Sequence, residues 1–130
     1  MNYFYAVVHK DQDSAFGVHF PDLPGCFSAA DRLEDVIPNA CEALDLWFED
    51  EAEATPSSVE EVRRIAADDL AEGAFLVAVP RLSNSAKLTR VNISLDRGML
   101  AAIDAAAGQR KLTRSAFLSE AARNEIEGRH

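Results

Sequence analysis

Three polar side chains at alternate positions, Arg90, Asn92 and Ser94, are the residues in this chain best suited to reading another molecule. An arginine can donate two parallel hydrogen bonds to guanine, an asparagine can pair with the edge of adenine, and a serine adapts to either. Further along, Thr113, Arg114 and Ser115 open a helical pattern, where free backbone N–H groups and a cation suit a phosphate. The other chemistry-bearing groups are less organised. Asp11, Asp13, Asp22 and Asp31 fall in turns or at strand ends, not at the fixed convergent positions that two-metal phosphoryl chemistry needs, and read as solvated turn carboxylates. His9 and His19 are separated by a turn and can face each other across a hairpin, but no further ligand is spaced for zinc, so they read as packed or surface histidines. Ser14 and Ser28 have no evident base. Cys26 and Cys41 lack metal-type spacing and read as reduced, buried thiols. The chain is expected to be a non-enzyme without a metal or other cofactor.

The elements that position Arg90, Asn92 and Ser94 follow from periodicity. Leu88 to Leu95 alternates, with Val91, Ile93 and Leu95 on the face opposite the polar three, and predicts a strand. The spacing of Met99, Leu100, Ile103, Ala106 and Ala107 predicts a helix capped by Asp96 and stopped at Gly108. A second helix, capped by Thr113, has Phe117, Leu118, Ala121, Ala122 and Ile126 on its apolar face. One strand and two short helices cannot bury enough apolar surface alone, and a single strand has unpaired edges. Pairing two copies antiparallel answers both needs. Val91, Ile93, Leu95, Leu100, Ile103, Phe117 and Leu118 then form a shared dimer core, and the polar three stand on a two-stranded ribbon that fits the DNA major groove.

Charge divides the chain. Residues 1–80 carry 17 Asp+Glu against 4 Lys+Arg, net −13, and residues 81–130 carry 5 against 9, net +4, for −9 overall. The basic part suits DNA, whereas the acidic part repels it and suits a basic partner. The start of the chain lacks the features of a signal peptide, and no apolar run is long enough to span a bilayer, so a cytoplasmic location away from membranes is expected.

In the acidic part, Met1 to Val8, Phe16 to Phe20 and Cys26 to Ala30 read as strands, joined by a polar turn and by the turn-rich Pro21-Asp22-Leu23-Pro24-Gly25. A helix from about Leu33 to Glu51 carries the stripe Leu33, Val36, Ile37, Ala40, Ala43, Leu44, Trp47 and Phe48. Asp31 or a neighbour should cap it, and Pro38 should either kink it or mark where it becomes regular. The capping-box run from Ser57 to Glu61 starts a short helix to about Ala67, followed by a loop. Phe75 to Val79, closed by Pro80, reads as a strand buried inside the sheet. The expected order β-β-β-α-α-β gives an α+β layer with its helices on one face. The domain boundaries are placed at 1–80 and 87–130, with a linker at 81–86.

Two resemblances follow from these motifs. Arg90-Val91-Asn92-Ile93-Ser94-Leu95, a helix, and then Leu112 to Leu118 resemble the ribbon–helix–helix DNA-binding domain, whose outward ribbon residues read bases. The runs Tyr5 to Asp11, Gly17 to Ser28 and Asn39 to Leu44 resemble the HicB antitoxin family over nearly the whole chain. That resemblance implies a partial RNase H-like N-terminal domain and, in one branch, a C-terminal ribbon–helix–helix domain. It also implies a partner, a HicA-type toxin that is a small basic ribonuclease cleaving mRNA. The expected function is therefore an antitoxin that neutralises such a toxin and represses its own operon on operator double-stranded DNA, as a homodimer through the ribbon and as a dimer of dimers on a palindrome. The alternative is a stand-alone repressor whose N-terminal domain binds a small effector or drives oligomerisation.

Overall fold

The structure is a computed structural model that describes residues 2–82 and 88–129; most of the expected linker therefore lies outside the described residues. The chain divides into two compact units, Met1–Ser83 with Glu127–Arg129 and Asn84–Ile126 with His130.

The first unit is built on a four-stranded antiparallel sheet in the order β3-β2-β1-β4. Its strands are β1 (Asn2–Lys10), β2 (Phe16–His19), β3 (Phe27–Ala30) and β4 (Phe75–Arg81). β1 takes an inner place because Ala6, Val7 and Val8 are apolar in succession and all fully buried, which requires cover on both faces. The β1–β2 turn closes through Ser14 N–H donating to the Asp11 carbonyl (3.2 Å), with Asp13 in the left-handed region (φ 62°). The Pro21–Gly25 run folds back on itself. Leu23 N–H donates to Phe20, Cys26 N–H donates to Leu23, and Gly25 takes φ 84°, a value costly for a residue with a Cβ.

β4 is an edge strand, not the interior strand that its unbroken apolar run suggests. Its residues Phe75 to Ala78 are half-buried or exposed, and burial is complete only from Val79 to Arg81. Pro80 fits this place, because an edge strand has one side on which no N–H is needed. The strand also continues to Arg81, past the closure expected at Pro80.

A 3₁₀ turn (Leu33–Asp35) leads into α1 (Val36–Asp50). Where Asp31 or a neighbour was expected to cap the start, Arg32 precedes the 3₁₀ turn and Asp35 occupies the N-cap position of α1, neither with a side-chain capping bond. Pro38 is the third helical residue, where no intrahelical N–H bond is required, so the helix becomes regular there and does not break. Val36, Ala40, Cys41 and Leu44 are buried against Phe4, Ala6, Val8, Val18 and Val79. Trp47 and Phe48 pack at the margin, with the Trp47 indole N–H donating to the Pro24 carbonyl (3.0 Å). Glu42, Asp45, Glu49 and Asp50 face solvent, as the stripe implies.

Ser58 caps α2 (Val59–Ile65), its hydroxyl accepting from Glu61 N–H at 3.2 Å. The expected loop after it is instead a further helix, α3 (Ala67–Ala71), ended by Gly73 at φ 101°. Residue alternation along β1 places Val7 and His9 opposite the α1-facing Phe4, Ala6 and Val8. α3 meets that other face, because its Asp69 approaches His9. Helices therefore cover both faces of the sheet, which corrects the one-sided layer and explains the double burial of β1.

The second unit contains α4 (Arg97–Gln109) and, as far as Ile126, α5 (Arg114–Glu127). Asp96 caps α4 as expected, its carboxylate accepting from Met99 N–H at 2.8 Å. Thr113 caps α5 through Ala116 N–H (3.1 Å). Gly108 does not stop α4. The helix runs one residue beyond it and closes as a Schellman turn, with Leu112 N–H on Ala107 (2.8 Å) and Lys111 N–H on Gly108 (3.1 Å). Lys111 occupies the left-handed position at φ 56°. Among the described residues no helix is long and apolar enough to cross a membrane.

Candidate functional site

Leu88 to Asp96 form no strand ladder within the chain, so the expected ribbon strand is not made by one copy alone. The physical reason is that a strand requires a partner for its N–H and C=O groups, and among the described residues no other strand of this unit supplies one. Arg90, Asn92 and Ser94 are exposed along this segment. Val91, Ile93 and Leu95, the expected core face, are exposed at 75%, 61% and 40%. Ile103 and Ala107 of α4 are buried, while Leu100, Phe117 and Leu118 are half-buried and Met99 and Ile126 exposed. One copy of this unit thus leaves a row of large apolar side chains in water, a face that singly exposed residues do not explain.

The structure brings Thr113, Arg114 and Ser115 together at the start of α5, with all three exposed. Thr113 is occupied in capping. Arg114 makes a bidentate ion pair with Asp104 of α4, at 2.9 Å for both contacts. This pairing holds the Asp104 carboxyl below its ordinary range and the guanidinium above its own. Arg110, at the end of α4, also pairs with Glu120 of α5.

The carboxylates considered for catalysis do not converge. Asp11, Asp13 and Asp31 are exposed, and Asp22 accepts from both the backbone N–H and the hydroxyl of Ser57, each at 2.8 Å. Asp22 therefore anchors the segment that precedes α2. Cys26 and Cys41 are free and buried, donating to the carbonyls of Ala43 and Pro80. Burial pushes their thiols up to about 11 and about 12.

His9 and His19 do face each other, with rings stacked 5.5 Å apart at 16°. The β1–β2 register pairs His9 with Gly17 and Val7 with His19, which puts the imidazoles diagonally on one face. Asp69 joins them, its Oδ1 3.6 Å from His9 Nε2. Burial lowers the His19 pKa, Asp69 opposes that shift and His9 adds to it. Sequence reasoning missed Asp69 because it read residues 68–73 as loop. The fourfold spacing of Val62, Ala66 and Leu70 was the signal that helical structure continued.

Comparison with known proteins decides the family. Residues 4–122 match the family described as the HicB_like antitoxin of bacterial toxin-antitoxin systems. The chain belongs to this family. The HicB antitoxin of Burkholderia pseudomallei is similar in structure, with a TM-score of 0.53 and 35% identity over 97% of each chain. A HicA3 and HicB3 toxin-antitoxin complex contains a similar chain, at TM-score 0.52 and 26% identity, the match covering 62% of this chain and 99% of that one. An uncharacterised 14.9 kDa protein from the rep-hol intergenic region of Haemophilus phage HP1 is 29% identical over 94% of this chain and 96% of its own. This protein is thus a HicB-like antitoxin of a toxin-antitoxin system.

Proposed function

We propose that the first unit of this HicB-like antitoxin covers a HicA-type toxin, a small basic ribonuclease, while the second pairs with another copy and binds operator DNA. The observation that carries this reading is the division of charge, net −13 on residues 1–80 and +4 on residues 81–130. An acidic surface steers and holds a basic partner and would occlude the face with which a ribonuclease meets RNA. The exposed Glu42, Asp45, Glu49 and Asp50 of α1 are candidates for that contact. The related HicA3 and HicB3 complex supports a toxin as the partner. In this reading the sheet with β1 inside is a partial RNase H-like scaffold used for binding, not for phosphoryl transfer, and the linker expected at 81–86 begins after Arg81, the last residue of β4, to join the two domains.

The DNA-binding half rests on the exposed Val91, Ile93 and Leu95. Two copies pairing this segment antiparallel satisfy its backbone and bury these side chains with Leu100, Ile103, Phe117 and Leu118. Arg90, Asn92 and Ser94 then face the major groove, and the start of α5, Thr113 to Ser115, lies at phosphates. Arg114 would exchange or share its Asp104 partner on binding. Two ribbons on a palindromic operator make a dimer of dimers. Asn92→Ala tests the separation of roles. It should cost about 1–3 kcal/mol of discrimination between operator and mismatched DNA in an electrophoretic shift titration. Growth rescue from the toxin should be unchanged; equal loss of both activities would contradict the two-unit reading.

A further inference from the structure

Apart from the surfaces used above, His9, His19 and Asp69 place three ligand atoms of zinc-binding type within 4.8 Å of one another. They come from three separate elements, β1, β2 and α3. We propose that this cluster is a binding site for a divalent transition metal of the zinc type, which ties the β1–β2 hairpin to α3. The donor set is two imidazole nitrogens and one carboxylate oxygen, a combination that suits zinc, cobalt, nickel or copper and disfavours magnesium and calcium. Zinc bonds of roughly 2.0–2.2 Å in a tetrahedron require ligand atoms about 3.4 Å apart. The His9 Nε2 to Asp69 Oδ1 separation is already 3.6 Å. The remaining contraction, from at most 4.8 Å, falls to the His19 side chain, whose ring must turn from its stack on that of His9 to aim a nitrogen at the ion.

The backbone beneath the cluster is fixed. The antiparallel register sets the two histidines diagonally on one face. Asp69 sits where α3 closes, its carbonyl accepting from Glu72 and Ala74 N–H, each at 3.1 Å. The His9 and Asp69 side chains are each 38% exposed, so an ion can enter and a water can complete its coordination. An ordinary histidine–aspartate ion pair accounts for His9 and Asp69, but it gives no role to the second imidazole stacked beside them. A metal uses all three.

The test uses the full-length chain with any purification tag removed, and Zn2+ alone as the probe. Calorimetry and competition against a chromophoric chelator should give one Zn2+ per chain. His9→Ala, His19→Ala and Asp69→Asn should each weaken binding by roughly tenfold or more. His130→Ala, which removes the third histidine of the chain, should leave it unchanged. Magnesium at equal concentration should not compete. A hundredfold excess of Zn2+ over its dissociation constant should raise Tm by roughly 5 °C in the wild type and not in the triple variant. If a variant does not fold, NMR of the intact wild type reads the site directly, as the ring resonances of both His9 and His19 should shift on adding Zn2+. Absence of binding at a zinc concentration on the order of 100 μM, undiminished binding by the folded variants, or shifts that spare His9 and His19 would each overturn the proposal.

Discussion

Asp22 accepts two hydrogen bonds from a single residue, Ser57, across 35 positions of sequence, and so holds the segment leading into α2 against the Pro21–Gly25 turn. Hydrogen bonds to an ionised acceptor are worth more than neutral ones, so Asp22→Ala should cost about 2 kcal/mol in urea unfolding. Asp22→Asn, which keeps one acceptor, should cost less. A cost below a few tenths of a kcal/mol would show that the contact is not maintained in solution. Arg81 carries a comparable burden at the end of β4. Its guanidinium lies 3.9 Å from the Phe48 ring and pairs with Glu53 at 2.8 Å. Glu53 is 73% exposed, so most of the effect resides in the stacking. Buried thiols raised to about 11 and about 12 hold almost no thiolate at neutral pH. Cys26 and Cys41 should therefore react with a thiol reagent such as dithionitrobenzoate only after unfolding, and rapid modification of the native chain would contradict their burial.

At the scale of elements, capping was the most legible feature. Asp96 and Thr113 were readable from residue type followed by helical spacing, and each accepts a backbone N–H three residues on; within the capping-box run Ser57 to Glu61 the structure assigns the cap to Ser58. These bonds are local, so sequence order suffices to specify them. Gly108 misled because glycine favours the left-handed stop, whereas Ala107 and Gly108 instead accept from Leu112 and Lys111, and Lys111 takes the strained position. Lys111→Gly should relieve that strain and raise stability by roughly 1 kcal/mol, read as a rise in Tm. A fall in Tm would mean that the lysine side chain has a compensating role. β4 and α3 were misread for a different reason. Whether an apolar strand lies inside or at an edge depends on which strands flank it, and that is decided by partners distant in sequence. The same holds for Asp69, whose approach to His9 and His19 depends on α3 covering the second face of the sheet.

At the scale of the whole molecule, charge and apolar exposure divide the work. The acidic unit folds around a closed core of its own, in which β1 and α1 supply most of the buried side chains. The basic unit keeps Val91, Ile93 and Leu95 in water as a single copy. The alternation of residues 88–95 was legible in the sequence, and the segment forms no ladder within the chain; in the proposed reading its strand partner is a second copy. Val91→Glu should consequently shift the protein toward monomer in sedimentation velocity and abolish DNA binding, while the acidic unit retains its fold. The role we propose for the acidic unit is neutralisation of a basic ribonuclease toxin. The most direct measurement is growth of cells expressing the product of the adjacent reading frame, with and without this chain, together with co-purification of the two. Neutralisation requires arrested growth without the chain, rescue with it, and a stable complex that survives Asn92→Ala. Normal growth in both cases, or arrest that the chain does not relieve, would contradict it.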